Sequence, residues 1–135
     1  MKLYIDKQLR LSPEKIKLAS EFCIFCAEKL PLESDFIIYL VGNRKDHGIT
    51  TTALYDRSEK TCKIYCKNRS LVDFLRSIAH ELTHMMQHEL GLLNVKIRDA
   101  GGFHEDQANA RAGELIKLFA KSMPHRKRIY EGRYR

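Results

Sequence analysis

The segment from Ser70 to Gly91 constrains the fold more than any other stretch of the chain. Leu71, Phe74, Leu75, Ile78, Leu82, Met85 and Met86 recur at three- and four-residue steps, which puts them on one broad face of a single long helix. Ser70 is placed to cap the first turn, with Asp73 three residues on in a capping-box-like arrangement, and Gly91 is the expected stop. An apolar face of that width has to be buried, so the remaining chain must supply elements that pack on it.

An earlier helix is announced at Ser12-Pro13-Glu14 by a side-chain cap, a proline whose missing N–H costs nothing at the first helical position, and an acid near the positive end of the dipole. Ile16, Ala19, Phe22, Cys23, Cys26 and Leu30 carry its apolar side until Pro31 ends the pattern. Segments rich in Ile, Val, Thr and Tyr follow at 36–41, 49–56 and 61–67, divided by Gly42-Asn43 and by Arg57-Ser58-Glu59-Lys60, and such connections suit antiparallel neighbours. After Gly101-Gly102 a last helix, from about Phe103, carries Ala108, Ala112, Leu115, Ile116 and Phe119 to a break before Pro124. The expected fold class is α+β: an N-terminal helix, a three-stranded and mainly antiparallel sheet, and two further helices. These form one domain over residues 1–124, followed by a basic tail over 125–135, with no internal repeat and no low-complexity linker.

At 135 residues, 44% of them hydrophobic, the chain can bury roughly 65–70% of its unfolded surface without disulfide or metal staples, so a metal in it is expected to be functional rather than structural. The longest apolar run, Phe36 to Val41, is far short of the roughly 20 residues of a membrane helix. The N-terminus carries charge early and lacks an apolar stretch, so no secretory leader and no membrane partner are expected, and the chain reads as cytoplasmic. Lysine and arginine number 24 against 17 acids, a formal charge of +7. Residues 121–135 hold six basic side chains against one acid, leaving the preceding 120 residues near neutral. That tail reads either as a docking element for nucleic acid or an acidic partner, or as a solvated solubility element.

The helix that starts at Ser70 contains His80-Glu81-Leu82-Thr83-His84. Residues four apart on a helix lie about 6 Å apart along the axis and nearly above one another, so two imidazole nitrogens can converge on one ion at roughly 2.0–2.1 Å. His80 and His84 fit as zinc ligands. Glu81 is turned about 100° from His80, beside the ion rather than on it, where its carboxylate suits the general base for a water that the metal acidifies. A catalytic zinc takes three protein ligands and keeps one position open, so a third ligand is needed. A metzincin would place glycine at 87 and histidine at 90, and Gln87 and Leu90 exclude that class. His88 lies about 12 Å along the axis from His80, too far to share the ion, and reads as packing or orienting. Glu105, 21 residues after His84 at the start of the last helix, is the better third ligand, with Asp99, Asp106 and His104 as competitors.

His80-Glu81-Leu82-Thr83-His84-Met85-Met86-Gln87-His88, followed by Glu105-Asp106-Gln107-Ala108-Asn109-Ala110-Arg111-Ala112, resembles the H-E-x-x-H-x-x-x-H and E-x-x-A-N pair of the ImmA/IrrE-type metallopeptidases, in the gluzincin group that includes the minigluzincins. The matched segments fall within residues 70–124, preceded by a helix and three strands in the order such minimal catalytic domains show. The resemblance implies a minimal zincin-like domain with an active-site helix and a glutamate helix. It implies a zinc metalloendopeptidase acting on a protein or peptide substrate, with His80, His84 and Glu105 as ligands and Glu81 as base. It also puts a substrate-pairing edge on the strand that includes Ile49 to Tyr55. Asn109, four residues after Glu105 and on the same helix face, is placed to accept the free ring N–H of a zinc histidine. Larger gluzincins take their oxyanion donors from a downstream helical domain absent here, which leaves Tyr130, Tyr134, Arg111 and His104 as candidates.

Cys23-Ile24-Phe25-Cys26 falls on the apolar side of its helix, and Cys62 and Cys66 lie about 13 Å apart along a strand, so the four thiols read as small apolar residues rather than a structural zinc site or a redox pair. Two other functions fit parts of the pattern. A regulatory or binding module would keep the zinc site and act by interaction, as a repressor antagonist or a nucleic-acid-associated factor using the tail. A SprT-like, DNA-associated protease shares H-E-x-x-H but would use a histidine as third ligand, and the Glu105 to Asn109 segment argues against it.

Overall fold

A computed structural model describes residues 1–91 and 102–131. In chain order these form strand β1 (Lys2–Ile5), helix α1 (Pro13–Lys29), strand β2 (Ile37–Val41), a 3-10 turn (Lys45–His47), strands β3 (Ala53–Asp56) and β4 (Thr61–Tyr65), helices α2 (Leu71–Glu89) and α3 (Phe103–Ser122), and a terminal 3-10 helix (Pro124–Tyr130). The helix starts are set locally: Ser12 Oγ accepts the Lys15 N–H at 3.2 Å, and Ser70 Oγ accepts the Asp73 N–H at 3.3 Å. Helix α2 ends where Gly91 turns left-handed at φ 72, a conformation glycine adopts without a Cβ clash. Among the described residues no helix is long and apolar enough to cross a membrane.

Helices and sheet combine as expected in one mixed arrangement, but the sheet corrects the expectation of three mainly antiparallel strands. It has four strands in the order β1-β2-β4-β3; β1–β2 and β2–β4 run parallel, and β3–β4 is antiparallel. Strand β1 is four residues long and opens on a charge, too short to stand out as a period-two pattern. It joins β2 through α1, and a helical crossover returns the chain in its original direction. The segment expected as a strand from Ile49 forms a ladder over Ala53–Asp56, so the connection from β2 is long enough to let β4, not β3, pair with β2. The β3–β4 turn is the tight one: the Asp56 carboxylate accepts from Ser58 N–H at 3.0 Å, from its hydroxyl at 2.7 Å and from Glu59 N–H at 3.2 Å.

Register sorts the two faces. Leu3, Ile38, Cys62 and Tyr55 align across the sheet, and Ile5, Leu40, Ile64 and Ala53 form the next row on the same side. These rows meet Phe22 of α1, Leu75, Ile78 and Leu82 of α2 and Phe119 of α3 in one core. On the opposite side the Tyr4 and Leu54 side chains are exposed. The terminal 3-10 helix, Pro124–Tyr130, is packed rather than free. Ile129 is fully buried in the same core, Arg126 stacks over Phe119 at 4.4 Å and pairs with Glu21 at 3.5 Å, and Arg128 pairs with Glu14 at 2.8 Å.

Candidate metal centre

Helix α2 packs an apolar face on the sheet and is polar along the stripe that faces a cavity of about 470 Å³. The polar stripe supplies Asp73, Arg76, Ser77, His80, Glu81 and His84 to the cavity wall, α3 supplies Glu105 and Asn109, and the approach to β3 supplies Thr51 and Thr52. The His80 and His84 rings stand nearly perpendicular at 84°, with their Nε2 atoms 3.1 Å apart. Glu105 reaches them from the first turn of α3, where a carboxylate also suits the helix dipole. Its Oε1 lies 2.5 Å from His80 Nε2 and its Oε2 3.1 Å from His84 Nε2. Among the described residues these are the only three or more His, Cys, Asp or Glu side chains that gather closely enough to hold an ion, with ligand atoms within 4.8 Å of one another.

The tautomer of His84 decides which of its ring nitrogens a metal could use. Gln87, fully buried, gives its amide hydrogens to the His104 carbonyl at 2.9 Å and to Gln107 Oε1 at 2.7 Å. A carbonyl oxygen can only accept, so the Gln87 amide nitrogen lies on that side and its Oε1 faces His84 Nδ1 at 2.8 Å. His84 Nδ1 therefore carries a proton, which leaves Nε2 as the ring atom turned toward His80 and Glu105, where a neutral ring would offer its lone pair to a metal. The two ring nitrogens stand 3.1 Å apart with the Glu105 carboxylate beside both, close enough for all three side chains to reach one ion. Two imidazoles and a carboxylate in this arrangement could hold a metal ion.

Glu81 lines the same cavity and is partly buried. Burial pushes its carboxyl up from the usual range, the two histidines pull it down, and the Glu105 carboxylate raises it again.

The other expected residues separate. Asn109 lines the cavity, but among the described residues no hydrogen bond joins it to either histidine; the ring N–H of His84 goes to Gln87. Gln87 is the member that sequence reasoning passed over, although its position three residues after His84 puts it on the same helix face. His104 contributes its backbone carbonyl, as acceptor for Gln87. His88 accepts a hydrogen bond from Arg57 Nε at 2.7 Å. Asp106 is exposed on α3. Arg111 pairs with Glu114 at 2.7 Å and donates to the Lys29 carbonyl at 3.3 Å, and Tyr130 packs against the core. Asp99 and Tyr134 lie outside the described residues. The four cysteines are buried and unpaired; burial pushes the Cys23 thiol up to about 12 and those of Cys26 and Cys62 well above the usual range.

Compared with protein-family models, curated proteins and solved structures, the chain has no significant match in any of the three.

Proposed function

We propose that the chain is a zinc-dependent metallopeptidase of the gluzincin kind, cleaving peptide bonds of a protein or peptide substrate. The observation that carries this reading is the convergence of His80, His84 and Glu105 from two helices, with Glu81 on the wall of the same cavity. A zinc ion held by these three would supply a Lewis acid and an acidified water. Glu81 would take a proton from such a water and return it to the leaving amine, and burial, which raises the affinity of its carboxyl for protons, suits it to hold that proton. Gln87 holds His84 in the tautomer that faces the centre. Among the described residues strand β3 lies at the edge of the sheet, and the residues that lead into it, Thr51 and Thr52, border the cavity. An extended substrate added along that edge passes over the two histidines, the strand-addition mode of peptide binding.

Glu81→Gln tests the reading. The variant is expected to retain one zinc per chain and its fold while peptide cleavage falls by about 10²–10⁴, the usual contribution of a general base. Metal analysis and a peptide-cleavage assay on the same sample read both, and cleavage at the unsubstituted rate in the zinc-loaded variant would sink the proposal.

A further inference from the structure

The cavity that holds His80, Glu81 and His84 continues toward the N-terminal end of α2, where its wall becomes basic. Arg76 stands four residues before His80, on the same helix face and about 6 Å along the axis. Arg69, just ahead of the Ser70 cap, lines the same end. The two guanidiniums are held differently. Arg69 donates to the carbonyls of Tyr65 at 2.7 Å and Asp73 at 3.0 Å and to the Ser77 hydroxyl at 2.8 Å. All three are neutral oxygens, so its charge is fixed in place without a carboxylate in ion-pair contact among the described residues. Arg76 has a single hydrogen bond among the described residues, a one-point contact with the Asp73 carboxylate at 3.4 Å, long for a charge-assisted bond, and its side chain is 42% exposed. Two bases against one acid leave this end of the cavity positive, and the N-terminus of α2 adds the favourable pole of its dipole. Most of the Arg76 donors are unspent, in the fork geometry that matches a carboxylate.

From this we infer that Arg76, backed by the fixed charge of Arg69, is a specificity-determining residue that binds a carboxylate of the substrate, on an Asp or Glu side chain or at the peptide's C-terminus. The inference rests on the peptidase reading above. An axial offset of about 6 Å corresponds to about two residues of extended peptide at 3.3 Å each, so the carboxylate belongs to a residue within about two positions of the bond cleaved.

The probe is a fluorescein-labelled decapeptide with glutamate at alternate positions and its glutamine counterpart, each with a C-terminal acid or amide. Binding to the zinc-loaded Glu81→Gln chain is read by anisotropy, so that turnover does not intervene. Glutamate peptides are expected to bind about tenfold tighter, the size of one good charge-assisted contact. That ratio should collapse toward one with Arg76→Ala and survive in part with Arg76→Lys, whereas Arg76→Glu should instead favour a lysine-substituted peptide. Discrimination that follows the C-terminal acid rather than the side chains identifies the terminus as the ligand. Equal affinity for all peptides, no binding of any, or a preference unchanged by Arg76→Glu overturns the inference. Cleavage of the same peptides by the chain with Glu81 intact tests the peptidase reading separately. Cleavage without acid preference removes the subsite and leaves the peptidase, and acid-selective binding through Arg76 without cleavage does the reverse.

Discussion

Gln87 shows how much one buried amide can decide. Its two N–H donors are consumed by α3, so its oxygen is committed to His84, and the histidine lone pair is committed to the centre. Replacement by methionine keeps the volume and removes the acceptor. Zinc affinity is then expected to fall about 10–100-fold, as for loss of other groups that orient a metal-bound histidine. Competition against a chromophoric chelator measures this, and unchanged affinity would show that the ring needs no such guide. The histidine pair was legible in the sequence because a spacing of four on a helix brings the two rings together, and Glu81 because it follows His80, turned about 100° to the side of the pair. Gln87 was not, because its role depends on which way its amide is turned, and that is set by the His104 carbonyl and Gln107 across the helix interface.

At the scale of elements, the boundaries that local chemistry fixes were readable and the pairings that it does not fix were misread. The Ser12 and Ser70 caps and the Gly91 stop are settled within a few residues of themselves, so α1 and α2 stand where their signals put them. Strand order is a long-range outcome: β2 pairs with β1 from before α1 and with β4 from beyond β3, and nothing within β2 states either choice. The terminal 3-10 helix was read as a charged tail because its basic residues outnumber its apolar ones, yet Ile129 anchors it and Glu14 and Glu21 pair with its arginines. Ile129→Ala is expected to cost about 2–5 kcal/mol, the range for deleting a large buried aliphatic side chain. Urea unfolding reads that loss, and a cost below about 0.5 kcal/mol, typical of surface changes, would show that the segment is not part of the core.

For the molecule as a whole, the buried thiols link stability to pH. Cys23 ionises only at about 12 in the folded chain, and Cys26 and Cys62 are raised as well, burial being the main cause for each. An unfolded thiol ionises near pH 8.5, so the folded state alone holds these protons above that value. The stability they contribute is complete below about pH 8.5 and is lost progressively as pH rises toward the folded values. The urea midpoint is therefore expected to be lower at about pH 10 than at pH 7, and the four thiols to react with a thiol reagent only after unfolding. Fast labelling of the native chain would contradict this. The members of the centre come from distant points of the chain. His84 and Glu105 are 21 residues apart and meet across the contact of α2 with α3. In polymer terms, an ion held between them is a reversible cross-link. It closes a loop of that length and withdraws from the unfolded chain a freedom worth about 3 kcal/mol in disulfides of similar span. The same bond that supplies the chemistry would then set the tether length on which α3 finds α2.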